Sequence, residues 1–260
     1  MEETFKTTNC LGYSLFSDNL NGINFQDKML ISTVNQYSYC IAEEDVSFKQ
    51  ALQNSEILLP DGIGMVWAAR FLERKKVKKI AGADIHSFLL KKLDEQHGSC
   101  FYLGASNATL EIIRTKVNKN FPNVRVGSYS PPYKPEFTQE DSKLMISKVN
   151  SFGPDVLFVG MTAPKQEKWS YQFKKELNTK LICSIGAVFD FYAGTVERPS
   201  KKWRDLGLEW LGRLFKEPKR MWKRYVLYGF KFGFILLAEK FKNNRSVNSS
   251  YSGTYAEDKM

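Results

Sequence analysis

The chain has 260 residues, 43% of them apolar, and a net charge of +10. This apolar content is ordinary for a globular protein and allows one large α/β domain, alone or with an appendage. The longest apolar stretch, residues 226–238, contains Lys231 and is too short to span a bilayer. No basic and apolar leader opens the sequence, so we expect no secretory signal peptide.

The cysteines and histidines indicate neither a disulfide framework nor a metal site. Four cysteines lie far apart without a C-x-x-C pair, which predicts buried free thiols in a reducing compartment. The two histidines, His86 and His97, lack the spacing of metal ligands and are expected to be structural or surface residues.

The first two thirds of the chain alternate between short apolar runs and segments with helical periodicity. Predicted strands cover residues 10–16, 29–33, 57–59, 99–103, 124–129, 154–160 and 181–185. Predicted helices cover residues 46–54, 63–70, 83–93, 108–121 and 139–152, and another begins near Pro164. Residues 37–45 give no clear signal. The alternation predicts a mainly parallel sheet with helices on both faces.

The strand-to-helix turn at residues 57–70 is the most informative segment. A buried strand ends at Pro60, Asp61 and Gly62 form a turn, and a helix follows. Ligands bind at this edge of open α/β sheets, and the free N–H groups of a helix N-terminus suit phosphate. Asp61 is therefore either a carboxylate beside an anion site or only a helix N-cap, and the local spacing leaves both readings open.

Other strand ends also carry residues able to contact a nucleotide. They are Thr33 and Asn35, the turn beginning at Gly104, the Gly160 loop with Lys165 and Gln166, and the turn at Gly186 and Ala187. No G-x-G-x-x-G or P-loop is present, which argues against a sugar-nucleotide oxidoreductase. Because no D-x-D motif occurs to hold a metal, backbone N–H groups and basic side chains are the expected partners of a diphosphate.

The last part of the chain is basic and aromatic. Residues 199–245 contain 13 Lys or Arg and 4 Asp or Glu, a net charge of +9. This charge points to an anionic partner, either a membrane or a nucleic acid. Amphipathic helices from Leu206, with Trp222 and Tyr225 among basic residues, are typical of a lipid headgroup boundary. The alternative is that the apolar residues pack on the main domain and the charges are only solvated.

Five blocks of the sequence form a recognisable set: L-P-D-G-I-G-M-V-W-A-A-R at 59–70, I-A-G-A-D at 80–84, P-D-V-L-F-V-G-M-T-A-P-K-Q-E at 154–167, G-A-V-F-D-F-Y-A-G at 186–194 and G-L-E-W at 207–210. Together they resemble the bacterial WecG/TagA/CpsF glycosyltransferase family. They occur in the family's order over most of the chain, so the match is more specific than any single block.

The resemblance implies a Rossmann-like catalytic domain at residues 1–195 and a membrane-binding helical appendage at 196–242, followed by a tail at 243–260 that its polar composition predicts to be disordered. The family is inverting and metal-independent and needs no cofactor. It transfers a sugar from a UDP-sugar to a polyprenyl-diphosphate-linked sugar at the cytoplasmic membrane face. The donor sugar is N-acetylmannosamine or its uronate in several members and glucose or galactose in others. A homo-oligomer is left open.

The resemblance also assigns roles to particular positions. The catalytic aspartate falls on Asp61, and Thr33 is implied as a second catalytic residue. The residues implied in nucleotide-sugar binding are Asn35, Gly62, Lys79, Gly104, Gly160, Lys165, Gln166, Gly186, Ala187 and Asp190. Those implied in binding the acceptor diphosphate are Arg213, Arg220 and Arg224.

Two positions depart from the family pattern. Lys79 stands where the family commonly has arginine, and a lysine supplies the charge without the bidentate geometry. The acidic residue that often follows the first strand is replaced by Leu15, Phe16 and Ser17. Both differences concern recognition of the nucleotide and the sugar, while the class of reaction is unaffected.

Two other functions compete with a glycosyltransferase. A nucleic-acid-binding protein would need stacking aromatics on a sheet or a known DNA-binding motif, and the sequence has neither. A non-catalytic UDP-sugar-binding module is disfavoured by the presence of both Asp61 and Thr33.

Overall fold

The structure is a computed structural model that describes residues 5–200, 202–203 and 207–252, without the side chains of Arg220 and residues 243–252. Within this part, eight strands form one sheet in the order β1-β2-β4-β3-β8-β7-β5-β6. The strands are β1 Thr7–Cys10, β2 Tyr13–Phe16, β3 Met29–Val34, β4 Ile57–Pro60, β5 Ser99–Gly104, β6 Arg125–Tyr129, β7 Val156–Gly160 and β8 Leu181–Ser184. All pairs are parallel except β1 with β2.

Helices cover both faces of the sheet, which confirms the predicted α/β class. The helices of the main domain are α1 Gln36–Ala42, α2 Val46–Gln53, α3 Ile63–Glu73, α4 Gly82–Glu95, α5 Asn107–Asn120, α6 Gln139–Phe152, α7 Lys165–Phe173 and α8 Val188–Ala193. One face packs against α4, α5 and α8, and the other against α1, α2, α3, α6 and α7.

Burial on both faces explains the uninterrupted apolar runs of the strands. In β4, Ile57 and Leu59 belong to the core on one face, while Leu58 belongs to the core on the other. Successive side chains of a strand point to opposite faces, so a strand covered on both sides needs apolar residues at every position.

The prediction of one strand over residues 10–16 is wrong. The chain forms an antiparallel hairpin there, in which Cys10 pairs with Tyr13. The two turn residues, Leu11 and Gly12, have φ values of +54° and +79°. Positive φ at both central positions is typical of the turn that matches the twist of a two-residue hairpin. A leucine in this conformation gives no turn signal in the sequence.

The segment without a clear signal begins with a capped helix. The Asn35 Oδ1 atom accepts hydrogen bonds from the backbone N–H groups of Tyr37 and Ser38, both at 3.0 Å. The Ser38 hydroxyl in turn accepts a hydrogen bond from the Asn35 N–H at 2.8 Å. This reciprocal cap satisfies N–H groups that the first turn of α1 cannot bond internally.

The C-terminal helices pack back onto the main domain. They are α9 Glu209–Lys216, α10 Pro218–Trp222, a π-helical turn Lys223–Leu227 and α11 Tyr228–Ser252. Phe232 of α11 is buried and contacts Tyr39 of α1 edge to face, with ring centroids 5.4 Å apart. Helix α11 continues to Ser252, past the residue where the predicted disordered tail begins. Within the described residues, no helix is both long and apolar enough to cross a membrane.

The four cysteines are free and buried. Burial raises the pKa of Cys10 to about 12 and that of Cys40 to about 11. It also raises the pKa values of Cys100 and Cys183 far above the usual range of a thiol. These thiols therefore act as small core residues.

Candidate active site

A cleft of about 1190 Å³ opens at the carboxyl edge of the sheet. The ends of β3, β4, β5, β7 and β8 border it, together with the N-termini of α3, α4, α5, α7 and α8. Helix α9 and the π-helical turn close one side of the cleft. Helix N-termini carry unpaired N–H groups and a partial positive charge, so the cleft suits an anionic ligand.

The cleft collects nearly all the site residues predicted from the sequence. The side chain of Arg220 lies outside the described part of the chain. The residues that line the cleft are Thr33, Asn35, Asp61, Gly62, Lys79, Gly104, Gly160, Lys165, Gln166, Gly186, Ala187, Asp190, Arg213 and Arg224.

Asp61 projects into the cleft directly after β4. Its backbone N–H donates to the Val34 carbonyl at 2.8 Å, which fixes the turn to the neighbouring strand. Because Thr33 pairs with Leu59 in this parallel register, Thr33 and Asp61 lie at adjacent strand ends. The N-cap of α3 is Gly62, with φ +106°, and no side chain caps this helix. The reading of Asp61 as only an N-cap is therefore wrong.

The surroundings make Asp61 a stronger base than an ordinary carboxylate. Burial raises its pKa to about 6, and the nearby carboxylate of Glu209 acts in the same direction. Lys79, Arg198 and Arg213 lower the pKa and so limit the rise. A pKa near 6 leaves the group ionised at neutral pH and close to the optimum for general base catalysis.

Glu209 connects the C-terminal helices to this site. Its Oε1 atom accepts a hydrogen bond from Arg198 Nε at 2.9 Å, and its Oε2 atom accepts from Lys79 Nζ at 3.2 Å. Burial opposes the ionisation of Glu209, but these two cations outweigh it and hold its pKa below the ordinary value. The carboxylate thus neutralises cations that lie within electrostatic reach of Asp61.

Glycines form the floor of the cleft because side chains would not fit there. A Cβ atom on Gly104 would lie 2.4 Å from the carbonyl oxygen of Gly160, and one on Gly160 would lie 2.5 Å from the Phe189 ring. Gly186 has φ +50°, and a Cβ atom there would meet the Gln166 amide at 3.2 Å. All three glycines line the cleft, where close packing on neighbouring residues leaves no room for a side chain.

Gln166 and Glu167 form a buried polar pair beside this floor. Gln166 Oε1 accepts a hydrogen bond from the N–H of Met161 at 3.1 Å, and its Nε2 donates to Glu167 Oε1 at 2.8 Å. The other carboxyl oxygen of Glu167 has no partner in the described part of the chain. Burial raises the pKa of Glu167 to about 7. Glu167 therefore fixes the orientation of the Gln166 amide.

Other predicted ligand contacts have partners within the protein. Lys165 Nζ donates to the Lys134 carbonyl at 2.7 Å and lies 4.6 Å from the centroid of the Phe137 ring. Asn35 uses its carbonyl oxygen to cap α1, as described above. Asp190 lies in the first turn of α8, where the Thr195 hydroxyl donates to its backbone carbonyl at 3.2 Å. A ligand would have to displace or share these interactions.

Two arginines of the C-terminal helices face the cleft across aromatic rings. The Arg213 guanidinium lies 5.2 Å from the centroid of Phe191, and that of Arg224 lies 4.4 Å from the centroid of Tyr37. Arg213 Nε is buried and has no hydrogen-bond partner among the described residues. A buried donor of this kind is suited to an oxygen ligand, because leaving it unpaired is costly.

Several cleft residues were not predicted from the sequence. Arg198 lies in a segment with neither strand nor helix signal. Glu167 and Glu209 belong to the matched blocks, but the sequence assigned no role to either residue. Gln36, whose buried Oε1 atom has no partner among the described residues, had no signal at all. No group of three potential metal ligands from His, Cys, Asp and Glu occurs in the described residues.

Together the fold and the cleft define an α/β protein in which a basic carboxylate, Asp61, lies among cations and helix N-termini, an arrangement suited to anionic ligands. The family model described as "Glycosyl transferase WecG/TagA/CpsF family" matches residues 10–246. The chain belongs to this family and is a glycosyltransferase, as the resemblance of the sequence blocks implied.

Two relatives bear the same name, N-acetylglucosaminyldiphosphoundecaprenol N-acetyl-beta-D-mannosaminyltransferase. The protein of Bacillus subtilis (strain 168) is 30% identical over 217 residues, which cover 84% of this chain and 82% of the relative. The protein of Bacillus spizizenii (strain ATCC 23059 / NRRL B-14472 / W23) is 27% identical over 185 residues, which cover 71% of this chain and 70% of the relative.

Proposed function

We propose that this glycosyltransferase moves N-acetylmannosamine, or its uronate, from a UDP-sugar to a sugar linked to polyprenyl diphosphate. The product would serve the synthesis of a cell-surface polysaccharide or a teichoic-acid-type glycan. The names of both relatives support a lipid-diphosphate acceptor and a mannosamine-type sugar. The observation that carries the proposal is the raised pKa of Asp61 within a cleft that suits phosphates.

Asp61 acts as the general base in this proposal. It removes the proton from the acceptor hydroxyl as that oxygen bonds to the anomeric carbon of the donor sugar. The bond from this carbon to the diphosphate oxygen breaks on the opposite face, and UDP departs with the electron pair. One displacement of this kind inverts the anomeric configuration and needs no second carboxylate. Inversion of an α-linked UDP-sugar would give the β linkage in the names of the relatives.

The departing diphosphate needs stabilisation of its negative charge. The N-termini of α3, α4, α5 and α8 supply N–H groups at the cleft, and the glycine floor lets a ligand approach the backbone closely. Lys79 and Arg198 add positive charge once the donor diphosphate competes with Glu209 for them. The proposal therefore assigns the leaving group to backbone and cationic side chains.

The C-terminal helices bind the acceptor in this proposal. Arg213 and Arg224 are suited to the acceptor diphosphate, because a guanidinium pairs well with phosphate oxygens. The basic and aromatic surface of residues 196–242 would hold the enzyme peripherally at the cytoplasmic face of the membrane. Residues 1–195 then act as the catalytic domain and residues 196–242 as the appendage.

The test is a panel of UDP-sugars with polyprenyl-diphosphate-linked N-acetylglucosamine as acceptor, with products identified by mass. We expect one N-acetylhexosamine to be added from UDP-N-acetylmannosamine, and no addition by the Asp61→Asn variant, which should still bind UDP. Transfer only from UDP-glucose or UDP-galactose would contradict the assigned sugar. An active Asp61→Asn variant would contradict the assigned base.

A further inference from the structure

A second concavity lies outside the cleft, between α3 and α11. It has a volume of about 990 Å³, at the upper end of the range of roughly 300–1,000 Å³ that ligand pockets occupy. Its walls are mainly aromatic and aliphatic: Trp67 and Phe71 come from α3, and Phe230, Phe234 and Leu237 come from α11. We refer to it as the α3–α11 groove.

The aromatic side chains of this groove are unusually exposed. Trp67 is 67% exposed, Phe230 69% and Phe234 71%. Scattered apolar residues on a surface need no explanation, but several large ones along one concave strip mark a binding site. Folding alone does not require these side chains, because α11 is already anchored by the buried Phe232.

The rim of the α3–α11 groove carries positive charge. Arg70, Arg74 and Lys240 line it, and none of its described lining residues is acidic. Lys240 Nζ donates to the Phe71 carbonyl at 2.9 Å, which holds this cation at the edge of the groove. These cations lie toward the C-terminal end of α3, away from Asp61, and an apolar strip beside them suits a lipid chain that enters from among anionic bilayer headgroups.

Helix α3 connects the groove to the candidate active site. Asp61 and Gly62 precede this helix, and Ile63 in its first turn lines the cleft. Trp67, four residues later, lines the groove, and four residues correspond to about 6 Å along a helix axis. A chain lying in the groove would therefore have its head near Asp61.

Two glycines of α11 leave room for a chain in the groove. A Cβ atom on Gly229 or on Gly233 would meet no atom within 4 Å, so the space above both residues is open. Both glycines line the groove, so a hydrocarbon chain can lie directly against the backbone of α11.

We propose that the α3–α11 groove binds the isoprenoid chain of the lipid-diphosphate acceptor, next to the head group in the cleft. This inference rests on the proposed function, since it takes the acceptor class from there. The groove then selects acceptors by their hydrocarbon chain, in addition to the sugar and the diphosphate.

A bulky side chain placed in the α3–α11 groove tests this assignment. Gly233→Leu adds a side chain into open space, so it should not disturb folding, and Ala238→Leu adds similar bulk to an exposed position of α11 outside the groove. The probe is undecaprenyl diphosphate in detergent micelles, with its dissociation constant measured on the full chain. We expect Gly233→Leu to weaken this binding at least tenfold and to leave the affinities for UDP and inorganic diphosphate unchanged. Ala238→Leu should change none of them.

Three results would overturn the assignment. The first is equal affinity of both variants for undecaprenyl diphosphate. The second is weaker binding to phosphatidylglycerol vesicles with unchanged affinity for undecaprenyl diphosphate, which would assign the groove to bilayer lipids. The third is an altered monomer–dimer equilibrium with unchanged affinity, which would assign it to a second copy of the chain.

Binding is measured without turnover, so the two proposals can fail separately. A wild-type chain that binds undecaprenyl diphosphate through the groove but transfers no sugar would contradict the proposed function and support the groove. A chain that transfers sugar equally well to long and short isoprenoid acceptors, with and without Gly233→Leu, would contradict the groove alone.

Discussion

Glu209 accepts a hydrogen bond from Lys79 at 3.2 Å, although the two residues lie 130 positions apart in the chain. This contact joins α9 to the segment that follows Asp61 and α3. The same carboxylate raises the pKa of Asp61. Helix α9 therefore helps to set the basicity of the candidate catalytic group in addition to closing one side of the cleft.

Removing the charge of Glu209 should move the pH profile. We expect the acid limb of kcat/KM near pH 6 in the wild type, because activity requires ionised Asp61. Glu209→Gln should shift this limb to lower pH, since a like charge is lost and Lys79 and Arg198 can interact more closely with Asp61. Glu197→Gln is the matched control, because Glu197 is exposed and pairs with Lys216. A limb that stays in place or moves to higher pH would contradict the coupling.

Asp61→Asn should stabilise the fold while it removes activity. The pKa of Asp61 is raised from an ordinary value near 4 to about 6, so ionisation is less favourable in the folded state. This penalty is absent below the unfolded pKa, grows between pH 4 and 6, and is complete above pH 6. The free energy of unfolding of the variant should thus exceed that of the wild type by on the order of 2–3 kcal/mol at pH 8. Urea unfolding at pH 4 and pH 8 measures the gain, and equal gains at both pH values would refute the explanation.

Glu167 should matter as a hydrogen-bond acceptor more than as a charge. Glu167→Gln keeps an acceptor for the Gln166 Nε2 group, whereas Glu167→Leu leaves this buried donor unpaired. We expect the KM for the UDP-sugar to rise roughly tenfold in Glu167→Leu and to change little in Glu167→Gln. Similar KM values for the two variants would show that Gln166 is oriented by other contacts.

Two phenylalanines of α11 should differ sharply in their effect on stability. Phe232 is buried against Tyr39, so Phe232→Ala should lower the free energy of unfolding by about 3 kcal/mol. Phe234, two residues on, is 71% exposed in the α3–α11 groove, and Phe234→Ala should change stability by less than about 0.5 kcal/mol. Thermal unfolding of both variants makes the comparison. A large loss in Phe234→Ala would mean that the groove closes in solution.

Local patterns in the sequence were sufficient to predict most strands and helices of the main domain. Helix α6 begins and ends at the predicted residues. Thr138 provides a capping box at its start, and Gly153, the first residue after the helix, has a left-handed backbone conformation that ends it. The strands were recognisable as apolar runs. The hairpin at Leu11 was missed because a leucine with positive φ leaves no mark in the composition of a turn.

Local spacing predicted the site only where it follows the sheet, and the family resemblance added Lys79, Arg213 and Arg224. Asp61 and Thr33 could be placed together because parallel strands end at one edge, whereas Arg198 and Glu209 reach the cleft through tertiary packing that no spacing encodes. The N-cap reading of Asp61 could not be rejected either, since it depended on the backbone conformation of Gly62.

The four buried thiols make the native chain a convenient background for chemical labelling. Their raised pKa values leave almost no thiolate at neutral pH, and thiolate is the species that reacts with maleimides. A cysteine introduced at an exposed position such as Phe234 should therefore be modified selectively without removal of the natural ones. Its labelling rate would then report directly on whether a ligand covers that position.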